Sequence, residues 1–274
     1  MSAIAEKLDL ANNTDVNASD LEMKVKQMYQ DVAENPQGDF HFEMGYQMAE
    51  RLGYPARYLG MIPSAAIESF AGVGYYFGLA NIKAGEKVVD LGSGAGMDTF
   101  YAATQVGQNG EVVGIDMTDA QLKKSDSLRT ESGFKNIKYL KGYIQAAPCE
   151  DESFDVVISN GVVNLAPNKN KVFMEVNRLL KPGGRLALSD IVTEVQLPEG
   201  ITCDATLWAA CIGGALQVEN YLDAIRSAGL IIETVIDNPE YHFISDNAQG
   251  ATETYGVKSI SVLARKPDSI FSEV

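Results

Sequence analysis

A chain of 274 residues can bury one large core with length to spare for an added cap, and 46% hydrophobic content excludes wholesale disorder. With 37 acidic against 22 basic side chains the formal charge is −15, which argues against nucleic acid or anionic membrane surfaces as partners. The 3 cysteines are an odd number with no close pairing motif, Met1 to Thr14 carries neither a basic nor an apolar signal region, and no apolar run reaches the roughly 18 residues of a membrane span. A reducing cytoplasm is the expected compartment.

Residues 1 to about 20 are polar and expected to fray. From Leu21 to about Ala80 the pattern is helical but interrupted by Pro36, Gly38, Pro55 and Pro63. Residues 1–80 therefore read as a helical arm over a main domain spanning 81–265, with 266–274 as a tail. In the main domain strand and helix signals alternate, as in a mostly parallel sheet with helices on both faces. Lys87 to Leu91 is the first strand, Gly96 to Val106 its helix, and Glu111 to Asp116 the second strand. Thr118 with Gln121 predicts a capping-box start for the next helix, which Gly133 follows. Asn136 to Leu140 and Phe154 to Ser159 are the third and fourth strands.

Val172, Phe173, Val176, Leu179 and Leu180 form the apolar stripe of a helix that Lys181-Pro182-Gly183-Gly184 stops, and Arg185 to Ile191 is the fifth strand. A helix from Val218 to Ala228 precedes Ile231 to Val235 and Val257 to Ala264, expected as a final antiparallel, hairpin-like pair. Residues 192–216 fit no sheet element and read as an inserted cap near the C-terminal ends of the strands, where open α/β sheets bind ligands.

Val88-Val89-Asp90-Leu91-Gly92-Ser93-Gly94-Ala95-Gly96 carries the chemistry. A buried strand runs into a glycine turn and then a helix, so the backbone can approach a ligand closely. Asp116 follows at the end of the second strand, about 20 residues on, where a carboxylate can hold ribose hydroxyls. Together they imply a nucleoside-containing cofactor. G-x-G-x-x-G would need glycine where Met97 stands, and no Gly-Lys-Ser or Gly-Lys-Thr occurs, which leaves D-x-G-x-G-x-G from Asp90 to Gly96.

That motif resembles the first motif of class I S-adenosylmethionine methyltransferases. Gly114-Ile115-Asp116-Met117-Thr118, Gly142-Tyr143-Ile144, Ser159-Asn160-Gly161-Val162-Val163-Asn164-Leu165, Leu180-Lys181-Pro182-Gly183-Gly184 and Ser189-Asp190 extend the likeness. Leu207-Trp208-Ala209-Ala210-Cys211-Ile212-Gly213-Gly214-Ala215-Leu216 is similar to the arsenite methyltransferase branch, with quinone C-methyltransferases more distant. The resemblance implies a Rossmann-like α/β fold with a seven-stranded sheet, S-adenosylmethionine as methyl donor and S-adenosylhomocysteine (SAH) as product. It also implies cofactor contacts from Asp90, Gly92, Ser93, Gly94, Gly96, Asp116, Met117, Tyr143, Ile144 and Asn160. Three thiols are expected of the arsenite branch, and their positions here are Val73, Gly161 and Cys211. Trivalent arsenic is held by thiolates, so one remaining thiol predicts a different small-molecule acceptor.

At the acceptor site the sequence offers Cys211, His41 and Tyr76 as catalytic candidates, with Trp208 and Asn164 as acceptor contacts. Cys211 is equally a small buried residue, Trp208 a packing residue, and Tyr76 and its neighbour Tyr75 core residues. His41 and His242 are the chain's two imidazoles and its candidate general bases. No metal spacing is present. Arsenite methylation with a reduced thiol set, a non-enzymatic S-adenosylmethionine-binding module and, more weakly, a nicotinamide oxidoreductase are the competing readings.

Overall fold

The computed structural model describes residues 18–38, 40, 42–198, 201, 212–244 and 246–268. Strand β1 (Lys87–Leu91) is buried from its second residue onward and lies third in the order of a seven-stranded sheet. It pairs in parallel with β2 (Glu111–Asp116) on one side and β4 (Phe154–Asn160) on the other. β3 (Ile137–Lys141) extends the β2 side and β5 (Leu180–Val192) the β4 side, both parallel. β7 (Lys258–Arg265) runs antiparallel between β5 and β6 (Ile231–Asp237), completing the order β3-β2-β1-β4-β5-β7-β6. The chain winds outward from β1 first to one side and then to the other, so the C-terminal end of β1 is the switch point where such sheets bind ligands.

Period-two alternation divides the core between the two sheet faces. Val89, Leu91, Val157, Leu186 and Leu188 pack against Phe173, Val176 and Leu179 of α8 (Lys169–Leu179) and Tyr221 and Ile225 of α9 (Val218–Ser227). Val88, Val156, Ile158 and Ala187 face the other way, onto Phe100 and Tyr101 of α6 (Met97–Val106). The N-terminal arm supplies the rest of that layer: Met48 of α2 (Tyr46–Leu52), Leu59 of α3 (Ala56–Leu59), Ile67 of α4 (Ser64–Glu68) and Phe77 of α5 (Phe77–Ala80) belong to the same cluster. Pro55 and Pro63 interrupt the arm by N-capping α3 and α4. Ahead of them α1 (Ala18–Glu34) buries Leu21 and Val25 in a third cluster with Val73, Leu165 and Ile191.

The sequence-derived strands all form, β1 and β2 with the expected bounds and the other five with shifted ends. Two local expectations need correction. Thr118 does N-cap α7 (Asp119–Glu131), but its side chain makes no capping bond. Asp116 Oδ1 takes the Thr118 N–H instead (2.8 Å), and Gln121 reaches away to donate to the Tyr29 carbonyl of α1 (2.8 Å). The last two strands are antiparallel neighbours, yet their connection carries a helix, α10 (Asp246–Tyr255), that the sequence pattern does not predict. Most of the expected cap at 192–216 lies outside the described residues. Among the described residues no helix is long and apolar enough to cross a membrane.

Candidate active site

A cavity of about 330 Å³ opens where β1, β2 and β4 end. Its floor is the glycine turn, in which Gly92, Gly94 and Gly96 all have positive φ. Gly92 is required twice over, because its φ is +80° and a Cβ there would lie 2.6 Å from Val162. Asp116, Met117, Thr118 and Gln121 form one side, and Gly142, Tyr143, Ile144 and Gln145 the next. Val162, Leu165, Ala166 and Pro167 make an apolar end beyond β4. Leu21, Glu22, Val25 and Tyr29 of α1 form the roof.

The roof is fastened by polar bonds. Lys124 of α7 donates from Nζ to the Ala33 carbonyl (3.0 Å) and to Ser69 Oγ (2.8 Å). At the other end Tyr143 donates to Glu22 (2.8 Å), while Lys26 donates to both Glu22 and the Tyr143 hydroxyl.

Three buried carboxylates enter the wall. Asp116 Oδ2 accepts the Gly94 N–H (3.0 Å), tying the second strand to the glycine turn. Asp90 accepts from Thr99 Oγ1 (2.6 Å); burial, and then the nearby charge of Asp98, push its pKa up to about 8. Asp98, in the first turn of α6, accepts from Tyr54 (2.6 Å), Tyr76 (2.7 Å) and Asn160 Nδ2 (2.9 Å), and burial raises its pKa as well. Asn160 also takes the Val73 N–H on Oδ1 (2.8 Å) and donates to the Gly74 carbonyl (3.0 Å). The α2–α5 arm, α6 and β4 therefore meet at one hydrogen-bonded node.

Ser93 Oγ and Gln121 Oε1 are buried in the wall with no hydrogen-bond partner among the described residues. Buried polar atoms of that kind call for a polar ligand. A cavity of this size, with a glycine floor, a carboxylate at the second strand and orphaned polar atoms, fits a nucleoside carrying an amino acid.

Of the residues assigned to the cofactor from sequence, Asp90, Gly92, Ser93, Gly94, Asp116, Met117, Tyr143, Ile144 and Asn160 line this cavity. Gly96 does not. It N-caps α6, and a Cβ there would collide with the Tyr139 hydroxyl. Tyr76 is fully buried and forms no part of the wall, because its hydroxyl is committed to Asp98 from behind. Asn164 is also buried outside the wall, in the 3-10 turn Val163–Leu165, where its N–H donates to Asp190 Oδ2 (2.9 Å). His242 is exposed and does not line the cavity. His41, Trp208, Cys211 and Cys203 lie outside the described residues, and Cys149 is half-buried beside Arg178, away from the cavity.

Sequence reasoning missed Asp98, Tyr54, Gln121 and the roof residues. Asp98 had a signal, as an acid between the apolar residues of a helix that follows a glycine turn; Tyr54 had none.

The chain is similar to known methyltransferases in sequence and in structure. Residues 82–229 match the family model described as a methyltransferase domain. An arsenite methyltransferase of Halobacterium salinarum is 38% identical over 221 residues, 80% of this chain and 56% of the relative. The human arsenite methyltransferase is 43% identical over 138 residues, 47% of this chain and 37% of the relative. The chain thus spans about half or less of the length of the curated relatives it matches. The crystal structure of an arsenic(III) S-adenosylmethionine methyltransferase from Chlamydomonas reinhardtii superposes with a TM-score of 0.64 at 28% identity, covering 84% of this chain and 76% of that one. With more than half its length inside the family model, the chain belongs to the methyltransferase domain family.

Proposed function

We propose that the chain transfers a methyl group from S-adenosylmethionine to a small-molecule acceptor by in-line displacement. One observation carries the reading: the glycine turn, Asp116 and the orphaned Ser93 and Gln121 atoms converge on one roofed cavity at the switch point of the sheet. Bound there, the donor would supply an activated methyl on a sulfonium. The glycine turn lets the backbone lie along the amino-acid part, Asp116 receives ribose hydroxyls, and Met117 and Ile144 offer apolar surface to the base. α1 excludes water from above, and the apolar end at Val162, Leu165, Ala166 and Pro167 is the side from which an acceptor is held behind the methyl. Such positioning is worth roughly 7–11 kcal/mol in favourable intramolecular models. The net negative charge, which disfavours nucleic acid and anionic surfaces, supports a small-molecule acceptor.

Arsenite methylation is the second reading, favoured by the similarity to the arsenite methyltransferases. Against it stand Val73 and Gly161 at two of the three positions where the resemblance calls for thiols. Two measurements decide. Titration calorimetry with SAH should show binding, and its absence would refute the donor assignment. Incubation with S-adenosylmethionine, a thiol reductant and arsenite should yield no methylated arsenic, whereas a screen of apolar acceptors should yield a methylated product. Methylated arsenic in the first assay would establish the second reading. Binding without any turnover would point to a non-enzymatic module.

A further inference from the structure

Residues 142–153 join β3 to β4 without a helix or strand of their own, so side chains from elsewhere must help hold their backbone. The segment opens with Gly142, Tyr143, Ile144 and Gln145, which line the cavity. It then turns back on itself. A Cβ on Gly142 would lie 2.6 Å from Pro148 Cδ, and the Cys149 N–H donates to the Ala147 carbonyl (2.8 Å). Ala147, just past Gln145, is buried behind the wall and forms no part of it.

Two side chains of α8 meet it there. Glu175 and Arg178 lie one helical turn apart and so share a face of the helix. Glu175 Oε1 accepts the Ala147 N–H (2.7 Å), and Arg178 Nη2 donates to the Ala147 carbonyl (3.1 Å). A single ion pair therefore holds both backbone groups of one loop residue. The guanidinium has no N–H to spare. Nε and Nη2 donate to the two Glu175 oxygens (2.8 and 2.6 Å), and Nη1 donates to the Cys149 carbonyl (2.8 Å) and to Asp151. With the Ala147 bond, every donor of the side chain is used. The last turn of α8 secures the end of the segment as well, because the Arg178 and Leu179 carbonyls accept the N–H groups of Glu152 (2.8 Å) and Ser153 (3.0 Å). Neither Glu175 nor Arg178 lines the cavity.

We propose that Glu175 and Arg178 are positioning residues for the donor's adenine: by fixing Ala147 from behind, they set Tyr143, Ile144 and Gln145 against the base. The assignment rests on the donor reading given under Proposed function and extends it to residues outside the cavity. An acid and a base on one helix thus shape a wall that neither touches.

The test is titration calorimetry on the intact chain and on Arg178→Lys, with two ligands, SAH and S-ribosylhomocysteine, which is SAH without its adenine. Arg178→Lys keeps the charge beside Glu175 but cannot reach both Glu175 oxygens and both loop carbonyls from one nitrogen. The variant should bind SAH about 10-fold more weakly than the intact chain, the scale of a hydrogen bond to a charged group. Its affinity for S-ribosylhomocysteine should be unchanged. A pair that merely stabilised α8 would not tell a ligand with a base from one without, so equal losses for the two, or no loss for SAH, overturn the proposal. Glu175→Gln, which keeps an acceptor for the Ala147 N–H, replaces Arg178→Lys should that variant fail to fold, and the same pattern is expected of it. Where the shorter ligand binds too weakly to follow, hydrogen exchange decides. Exchange in residues 142–149 should accelerate in the variant while β1 and β4 stay slow; loop amides as slow as in the intact chain overturn the proposal. Failure of the intact chain to bind SAH removes the donor reading itself.

Discussion

Val73 Cγ1 stands 3.1 Å from the point where a Cβ on Gly161 would lie. Val73 is 1% exposed, packed in the cluster that contains Leu21, Leu165 and Ile191, and Gly161 has a φ of +70° just past the end of β4. Two of the three positions at which the family resemblance calls for thiols are thus neighbours, and here they are filled by an isopropyl group and a glycine without a side chain. A thiol cannot be restored at Gly161 without cost. Gly161→Cys should destabilise the fold by about 1–3 kcal/mol, through the left-handed backbone and the contact with Val73. Adding Val73→Ala should relieve the contact but not the backbone strain, so chemical denaturation of the single and double variants separates the two contributions.

Asp116 joins the second strand to the glycine turn as well as facing the cavity. Asp116→Asn presents an NH₂ where the Gly94 or Thr118 N–H must be accepted, and removes the charged acceptor proposed for the ribose hydroxyls. SAH affinity should fall about 10- to 100-fold, the range for losing hydrogen bonds to a charged group. Calorimetry on the variant checks it; an unchanged Kd would show that the sugar lies elsewhere.

Lys124 holds the C-terminal turn of α1, where backbone carbonyls lack helical partners, by donating to the Ala33 carbonyl and to Ser69. Ser69 in turn donates to the Val32 carbonyl (3.2 Å). Lys124→Ala should loosen the roof and cost about 1–2 kcal/mol. Hydrogen exchange in residues 20–34 should accelerate, and SAH should bind about 5- to 10-fold more weakly, while exchange in β1 and β4 stays slow. Uniform acceleration across the sheet would instead mean global destabilisation.

The sheet was legible because buried parallel strands are apolar runs punctuated by glycine, and β1 and β2 were bounded to the residue. The glycine turn and Asp116 were legible because their chemistry is local. The node around Asp98 was not. It forms by bringing Tyr54, Tyr76 and Asn160 onto one carboxylate across 106 residues of chain, and no periodicity records such an encounter. Tyr76 shows the same limit from the other side, since proximity in sequence to Gly72-Val73-Gly74 did not carry its side chain into the cavity. The roof escaped notice because an amphipathic helix looks the same whether it covers a core or a ligand. α10 was missed because Gly250 and two threonines dilute its helical signal.

Asp90 makes the fold sensitive to pH in a direction opposite to that of an ion-paired carboxylate. Burial, then repulsion from Asp98, raise its pKa to about 8 against an ordinary value of 3.8. Between those values the folded chain retains a proton that the unfolded chain has released. The unfolded state therefore binds fewer protons, and stability falls as pH rises from about 4 to about 8. Asp190, raised to about 6 by burial, adds to the fall in the lower part of that window. Lys169 works the other way. Burial lowers its pKa to about 7, so the unfolded chain binds more protons from about 7 to 10.5 and stability recovers there as pH rises. Asp90→Asn keeps the shape and the Thr99 bond but cannot ionise. The melting temperature of the intact chain minus that of the variant should decrease steadily from pH 5 to pH 8 and level off above it. Parallel melting curves across the range would show that Asp90 has an ordinary pKa and that this wall of the cavity is already neutralised.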